Sequence, residues 1–175
     1  AGISVSSIKG CATSKISQTN IAQEDFSSKS IVVIAKSENL KKPERAFIKD
    51  ILDFAVPIAL GATSSEDAWK KLFNSNDTVG IKTNCISPMI PTHPQLAYAI
   101  ADCLIAVGIP PEQIIIWDRE DRELISAGYK INIDGPGIRC YGTKPNIGYG
   151  EELIVSRSVG SRFSKIISRQ CTASI

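Results

Sequence analysis

Five polar residues with the right chemistry to hold a charged ligand stand near the ends of two short apolar segments. Lys82 and Asn84 follow the first segment, Asp118 follows the second, and Thr92 and His93 precede a proline between them. In a parallel α/β sheet, ligands bind beyond the carboxyl ends of the strands, where these residues would meet. The sequence therefore predicts a site for a small anionic ligand or a metal there.

The chemistry of each residue suits a particular role at such a site. Lys82 would clamp an anion or, if desolvated, act as a nucleophile. Asn84 and Thr92 would orient the ligand by hydrogen bonds, and the start of the following helix would favour negative charge. His93 or Asp118 would exchange protons. The predicted catalytic residues are thus Lys82, His93 and Asp118, and the predicted ligand-binding residues are Asn84 and Thr92.

Simpler roles exist for the same side chains, and the sequence leaves open whether the chain is an enzyme. Lys82 would extend to solvent, while Asp118 and His93 would cap helices. The single histidine excludes a site built from several histidines. Gly135 and Gly137 lack the third glycine of a dinucleotide-binding loop, so no motif names a cofactor.

The elements that must position these residues alternate between strand and helix patterns. Strands are predicted at 30–36, 78–83, 114–118, 138–141, 152–155 and 171–175, and helices at 43–60, 64–72, 94–107, 119–127 and 161–168. This alternation is typical of a parallel sheet with helical crossovers. We expect an α/β fold, a Rossmann-like three-layer sandwich with a mainly parallel sheet.

The sequence also predicts where the first two helices begin and end and which residues the second one buries. Pro57 is expected to kink or end the first helix early. Ser64 or Ser65 is expected to cap the second helix, which would turn Trp69 and Leu72 inward.

Length and charge narrow the function classes. The chain has 175 residues, enough for a single domain at 30–175, with 20 basic and 18 acidic side chains. This balance argues against a nucleic-acid binder, and no run approaches the roughly 18 apolar residues of a membrane span. Residues 1–29 are polar and are predicted to be a flexible leader or an arm that adds a strand to a neighbouring molecule.

The five cysteines do not have the spacing of a zinc or iron–sulfur motif. Cys103 is predicted to be a small buried residue. Cys140 and Cys171 are predicted to be core residues or, in an exported chain, half-cystines. Because the count is odd, at least one thiol stays unpaired within a monomer, and the disulfide state of Cys11 and Cys85 is left open.

Residues 30–175 resemble the domain-of-unknown-function 362 family. The resemblance is carried by Lys82-Thr83-Asn84, by Thr92-His93-Pro94, and by later segments that include 171–175. It implies a bacterial or archaeal protein, exported in some relatives, with chemistry linked to redox or to a metal. The family domain normally continues beyond the segment that resembles 171–175. Because the ferredoxin cysteine pattern of some relatives is absent, an iron–sulfur cluster is not implied.

Two functions from different classes follow from these patterns. The first is ligand binding by an uncharacterised α/β domain. The alternative is a self-assembling, filament-forming extracellular protein, in which residues 1–29 or a neighbouring copy complete the sheet near Ile175. We expect the protein to be exported or extracellular, and a cytoplasmic location is left open.

Overall fold

The computed structural model describes residues 31–36 and 44–175. The predictions for 1–29 and for Cys11 lie outside the described residues. The helices are α1 (Arg45–Leu60), α2 (Ser65–Leu72), α3 (Pro94–Ala106), α4 (Asp121–Ser126) and α5 (Thr143–Asn146), with a 3₁₀ turn (Pro111–Gln113) and a π-helical turn (Ile166–Gln170). The strands are β1 (Val79–Lys82), β2 (Ile114–Glu120), β3 (Arg139–Gly142), β4 (Ile154–Ser156), β5 (Val159–Ser161) and β6 (Ala173–Ser174).

Four strands form a parallel sheet in the order β3-β2-β1-β6. Helices flank this sheet, which confirms the predicted α/β class and the Rossmann-like sandwich. The register places Lys82 of β1 beside Trp117 of β2, and Asp118 beside Gly142 of β3. The carboxyl ends of β1 and β2 therefore lie next to each other, as the sequence predicted.

Strand β2 is apolar on both faces because both faces of the sheet are covered. Ile114 and Ile116 belong to a core shared with α2 and α3. Ile115 and Trp117 belong to a second core with Ile166 of the π-helical turn. A continuous apolar run is the expected pattern for a strand buried on both sides.

The strand predicted at 30–36 is wrong within the residues that the structure describes. Residues 31–36 have no regular secondary structure, and the side chains of Ile31, Val32 and Ile34 are exposed. The strand that pairs with β1 on the side away from β2 is β6. The backbone N–H of Ile175 donates to the carbonyl of Gly80 at 2.9 Å. The predicted terminal strand is therefore confirmed, as an edge strand of the sheet.

Pro57 does not shorten α1, so the prediction of an early end is wrong. The helix continues to Leu60 and ends at Gly61, which has a left-handed backbone with φ 56°. Pro57 stands in the last turn, where its missing N–H removes only one helical hydrogen bond.

Helix α2 begins as predicted, but its inner face differs. The Ser64 hydroxyl accepts a hydrogen bond from the backbone N–H of Asp67 at 3.0 Å, which confirms the cap. Trp69 is buried as expected, whereas Leu72 is 49% exposed. Phe73, just past the helix, is buried instead and stacks on Trp69 with ring centroids 6.1 Å apart.

The segment after β3 departs most from the prediction. The strand predicted at 152–155 is present as β4, but it pairs antiparallel with β5 in a separate two-stranded sheet. The helix predicted at 161–168 is wrong at its start, because β5 extends to Ser161 and the π-helical turn begins only at Ile166.

Candidate functional site

Lys82 and Asp118 meet at the carboxyl ends of β1 and β2. The Lys82 ammonium lies 2.7 Å from the Asp118 carboxylate and also donates to the carbonyl of Thr83. The Asp118 side chain is buried, whereas that of Lys82 is 44% exposed. The ion pair thus holds a cation at the sheet edge with part of its surface open to solvent.

The carboxylate of Asp118 also holds the backbone around it. One oxygen accepts the N–H of Cys85 at 2.6 Å, and the other accepts the N–H of Arg119 at 2.8 Å. Helix α4 begins only at Asp121, so Asp118 is not the helix cap of the simpler interpretation. Asp118 instead joins the loop that follows β1 to the end of β2.

The loop between β1 and α3 is closed by Thr92. The Thr92 hydroxyl accepts the N–H of Asn84 at 3.0 Å, and the N–H of Thr92 donates to the Asn84 carbonyl at 2.9 Å. The Tyr129 hydroxyl donates to the Thr92 carbonyl at 3.0 Å. Thr92 thus positions the Asn84 backbone, and the Asn84 side chain is exposed at the site.

His93 stands at the N-cap position of α3 with an extended backbone. Its side chain is exposed and makes no capping hydrogen bond, so the helix-cap interpretation of His93 is not realised. Since His93 directly follows Thr92, it lies beside the loop that Thr92 closes. Hydrogen bonds therefore join Lys82 with Asp118 and Asn84 with Thr92, whereas the His93 side chain has no such bond to the other four predicted residues.

Trp117 forms part of the site but was missed by sequence reasoning. The Lys82 ammonium lies 5.5 Å from the centroid of the Trp117 ring, within the range of a cation–π contact. The Trp117 carbonyl accepts the hydroxyl of Thr83 at 3.1 Å. In the sequence, Trp117 is notable only because it directly precedes Asp118 in an apolar run. Its position beside Lys82 depends on the register between strands.

Cys85 and Tyr129, which are not among the five predicted site residues, are both buried beside the loop. Burial raises the pKa of the Cys85 thiol and of the Tyr129 hydroxyl above their ordinary values. Both groups therefore stay protonated at neutral pH. Cys85 contributes its backbone N–H to the site rather than a thiolate.

The four cysteines among the described residues are free thiols. Cys103 and Cys140 are buried, and burial raises the pKa of each to about 12. Burial raises the pKa of Cys171 to about 11. The prediction of core cysteines is confirmed for Cys103 and Cys140, and neither Cys140 nor Cys171 forms a disulfide with another described cysteine.

Within 31–36 and 44–175, no three His, Cys, Asp or Glu side chains are grouped so that they could bind a metal ion. No helix in that part of the chain combines the length and apolar character needed to cross a bilayer.

Comparison with known proteins returned no match to a family model, to a curated protein or to a solved structure. The resemblance to the domain-of-unknown-function 362 family stays a prediction. The site is therefore interpreted from its own chemistry.

Proposed function

We propose that this protein binds a small anionic ligand, of the phosphate or carboxylate type, at the carboxyl ends of β1 and β2. The observation that supports this proposal is the ion pair between Lys82, whose side chain is partly exposed, and the buried carboxylate of Asp118. Asn84 and His93 are exposed in the loop between β1 and α3, and we assign their side chains to the same ligand.

The ion pair leaves Lys82 able to bind a second partner. An ammonium has three N–H donors, of which Asp118 and the Thr83 carbonyl take two. The negative charge of Asp118 is shared with the N–H groups of Cys85 and Arg119. The remaining donor of Lys82 is available to an anion at the open side.

The roles of the other residues follow from burial. Asp118 is buried and its carboxylate accepts three donors, so we assign it to positioning Lys82 rather than to proton exchange. His93 is exposed and is the better group to exchange a proton with a bound ligand. Redox or metal-linked chemistry, which the family resemblance implies, stays a separate prediction.

The test is a calorimetric and NMR titration of the full chain with phosphate, sulfate and acetate, and separately with Mg²⁺. We expect saturable anion binding that shifts the amide signals of Asn84 and Cys85. Lys82→Ala should weaken it at least tenfold, and Lys82→Arg should weaken it less, because the charge remains.

The control is Lys70→Ala, since Lys70 is an exposed lysine on α2 paired only with Glu66. It should bind like the parent protein. Equal loss in Lys70→Ala and Lys82→Ala would indicate a nonspecific charge effect and contradict the proposal. Binding of Mg²⁺ without anion binding would contradict it as well.

We propose self-assembly through the sheet edge, in an exported or extracellular protein, as a second candidate function. The supporting observation is that β6 is the outermost strand of the parallel sheet. The alternation of hydrogen bonds along β6 directs the backbone N–H of Ser174 away from β1. An open strand edge of this kind can accept a further strand, which residues 1–29 of another copy would supply.

Light scattering of the full chain, of Ser174→Pro and of a chain without residues 1–29 tests this second candidate. We expect large assemblies in the parent protein and their loss in both altered chains, because proline removes the outward N–H. Assemblies that persist after removal of 1–29 would exclude the arm.

A further inference from the structure

The hairpin of β4 and β5 exposes an unusual amount of apolar surface. Five large apolar side chains in and around it are between 46% and 68% exposed: Leu153, Ile154, Val155, Val159 and Phe163. Exposed apolar residues that cluster in this way mark interaction surfaces more often than isolated ones do. We call these five residues the hairpin patch.

Both faces of the hairpin contribute to the patch. On one face, Ile154 and Val159 line a groove together with Phe163. On the other face, Val155 lies opposite Gly160, and the Leu153 side chain lies 3.5 Å from where a Cβ of Gly160 would stand. Two strands alone are marginally stable in water, so a covering partner would stabilise the hairpin.

The outer edge of β4 can pair with another strand. Ser156 and Val159 flank the two-residue turn, and Ile154 pairs with Ser161 two residues further along. The two residues of each of these pairs form backbone hydrogen bonds with each other. Val155 lies between the two pairs along β4, so its N–H and C=O point away from β5. The backbone groups of β4 that can pair with another strand are therefore those of Val155.

Charged residues flank this edge with opposite signs at its two ends. Glu151 and Glu152 precede β4, and Arg157 follows it at the turn. All three are exposed, and none of them forms an ion pair within the described part of the chain. An antiparallel copy of the same strand would bring Arg157 toward the acidic pair of the other copy, twice, about a two-fold axis.

We infer that the hairpin patch is the interface of a two-fold dimer, in which β4 of one copy pairs antiparallel with β4 of a second copy, centred on Val155. The pairing forms a four-stranded antiparallel sheet, β5-β4-β4-β5. It satisfies the outward groups of Val155 and brings the Ile154 side chains of the two copies to diagonal positions on one face. The free backbone groups, the apolar side chains and the charges along β4 all match those of a second β4 that runs in the opposite direction. We therefore assign a second copy of this chain as the partner.

The first test is sedimentation equilibrium of the Ser174→Pro chain, in which β6 cannot accept a further strand, with and without Val155→Lys. We expect a dimer for Ser174→Pro and at least a tenfold weaker association when Val155→Lys is added, because a lysine pair at the two-fold axis repels. Met89→Lys in the same Ser174→Pro chain is the control, since Met89 is an exposed apolar residue outside the patch. It should remain dimeric, with circular dichroism confirming that all three chains are folded.

The second test exchanges the charges. Arg157→Glu alone, or Glu151→Lys with Glu152→Lys, should weaken self-association because each places like charges opposite each other. An equimolar mixture of the two altered chains should form heterodimers, since every contact then joins opposite charges. Restoration in the mixture distinguishes this interface from loss of folding.

The outcomes that overturn the inference are distinct from failure of the proposed functions. A monomeric Ser174→Pro chain at high concentration overturns it, as does a dimer that is as strong with Val155→Lys as without it. Assemblies that survive Val155→Lys but disappear in Ser174→Pro would assign association to β6 instead. A mixture that fails to restore dimers would exclude the two-fold arrangement.

Discussion

The buried carboxylate of Asp118 accepts the backbone N–H of Cys85 at 2.6 Å, although the two residues are 33 positions apart. Through this bond, the end of β2 holds the first turn of the loop that follows β1. The same carboxylate pairs with Lys82 at 2.7 Å. The position of the only charged group on β1 therefore depends on a residue of the neighbouring strand.

Replacing Asp118 is expected to destabilise the whole fold. Asp118→Ala leaves the buried N–H of Cys85 without an acceptor and removes the partner of Lys82. We expect the free energy of unfolding to fall by about 2–4 kcal/mol. Asp118→Asn should also destabilise, because its single amide oxygen must serve donors that now use two carboxylate oxygens. Urea denaturation followed by circular dichroism measures both.

The matched control is Glu66→Gln, which breaks the exposed ion pair with Lys70 on α2. Exposed pairs contribute little, so this change should stay within about 0.5 kcal/mol. A loss in Asp118→Ala no larger than in Glu66→Gln would show that the Asp118 hydrogen bonds do not hold the loop.

Thr92→Val is expected to loosen the loop at Asn84 without unfolding the protein. Valine keeps the shape of threonine but removes the hydroxyl that accepts the N–H of Asn84. Loss of one hydrogen bond should raise the amide exchange rate of Asn84 by about tenfold. Tyr129→Phe is the control, because it removes the donor to the Thr92 carbonyl and leaves the hydroxyl in place. Unchanged exchange at Asn84 in Thr92→Val would contradict the assigned role of the hydroxyl.

Local patterns in the sequence were sufficient to place β1, α3 and β2. Pro94 at the first turn of α3 and Gly108 after its end mark a helix whatever surrounds it. Because parallel strands end at a common edge, Lys82 and Asp118 could be brought together from the sequence alone. Trp117 was not predicted as part of the site, since its place beside Lys82 depends on register between strands.

Segments 30–36 and 171–175 were both predicted as strands, but only the second contains one in the described residues. Both segments have strand patterns, and 30–36 has more β-branched residues. β6 follows the π-helical turn, whose Ile166 is buried against Ile115 and Tyr141 on one face of the sheet. The packing of Ile166 places β6 beside β1. Because this contact is long-range, the residue pattern within either segment does not predict it.

Gly80→Ala is expected to destabilise the centre of the sheet. A Cβ at this position would stand 2.7 Å from the Cys171 sulfur and 3.0 Å from Nε1 of Trp117, both closer than ordinary contact. Overpacking of this kind costs about 1–3 kcal/mol. Gly150→Ala is the control, since its nearest contact would be 3.7 Å away, and it should remain near the parent stability.

A double-mutant cycle tests whether the Cys171 sulfur is the atom against which the new Cβ is overpacked. Cys171→Ala removes the atom nearest to the new Cβ, so Gly80→Ala should cost about 1 kcal/mol less in the Cys171→Ala background than in the parent. Urea denaturation of the four chains gives the coupling energy. A coupling energy of zero would mean that the strain comes from Trp117 instead.

Alkaline pH is expected to destabilise the fold through its buried thiols. Burial raises the pKa of Cys140 to about 12, whereas a thiol in the unfolded chain titrates near 9.0. Below pH 9 both states hold the proton, and the free energy of unfolding is unaffected by this group. Between pH 9 and 12 the unfolded state alone releases it, so the free energy of unfolding falls by about 1.4 kcal/mol per pH unit for such a thiol.

Cys140→Ala separates this effect from general alkaline damage. Without the thiol, the variant should be less stable at pH 8, because buried contacts are lost. Its stability should then decline less steeply than that of the parent chain from pH 9 to 10.5, by about 1.4 kcal/mol per pH unit. Met89→Ala, at an exposed position, should keep the parent slope. Urea denaturation in a reducing buffer measures all three, and parallel slopes for Cys140→Ala and the parent would mean that Cys140 ionises in the folded state as readily as in the unfolded one.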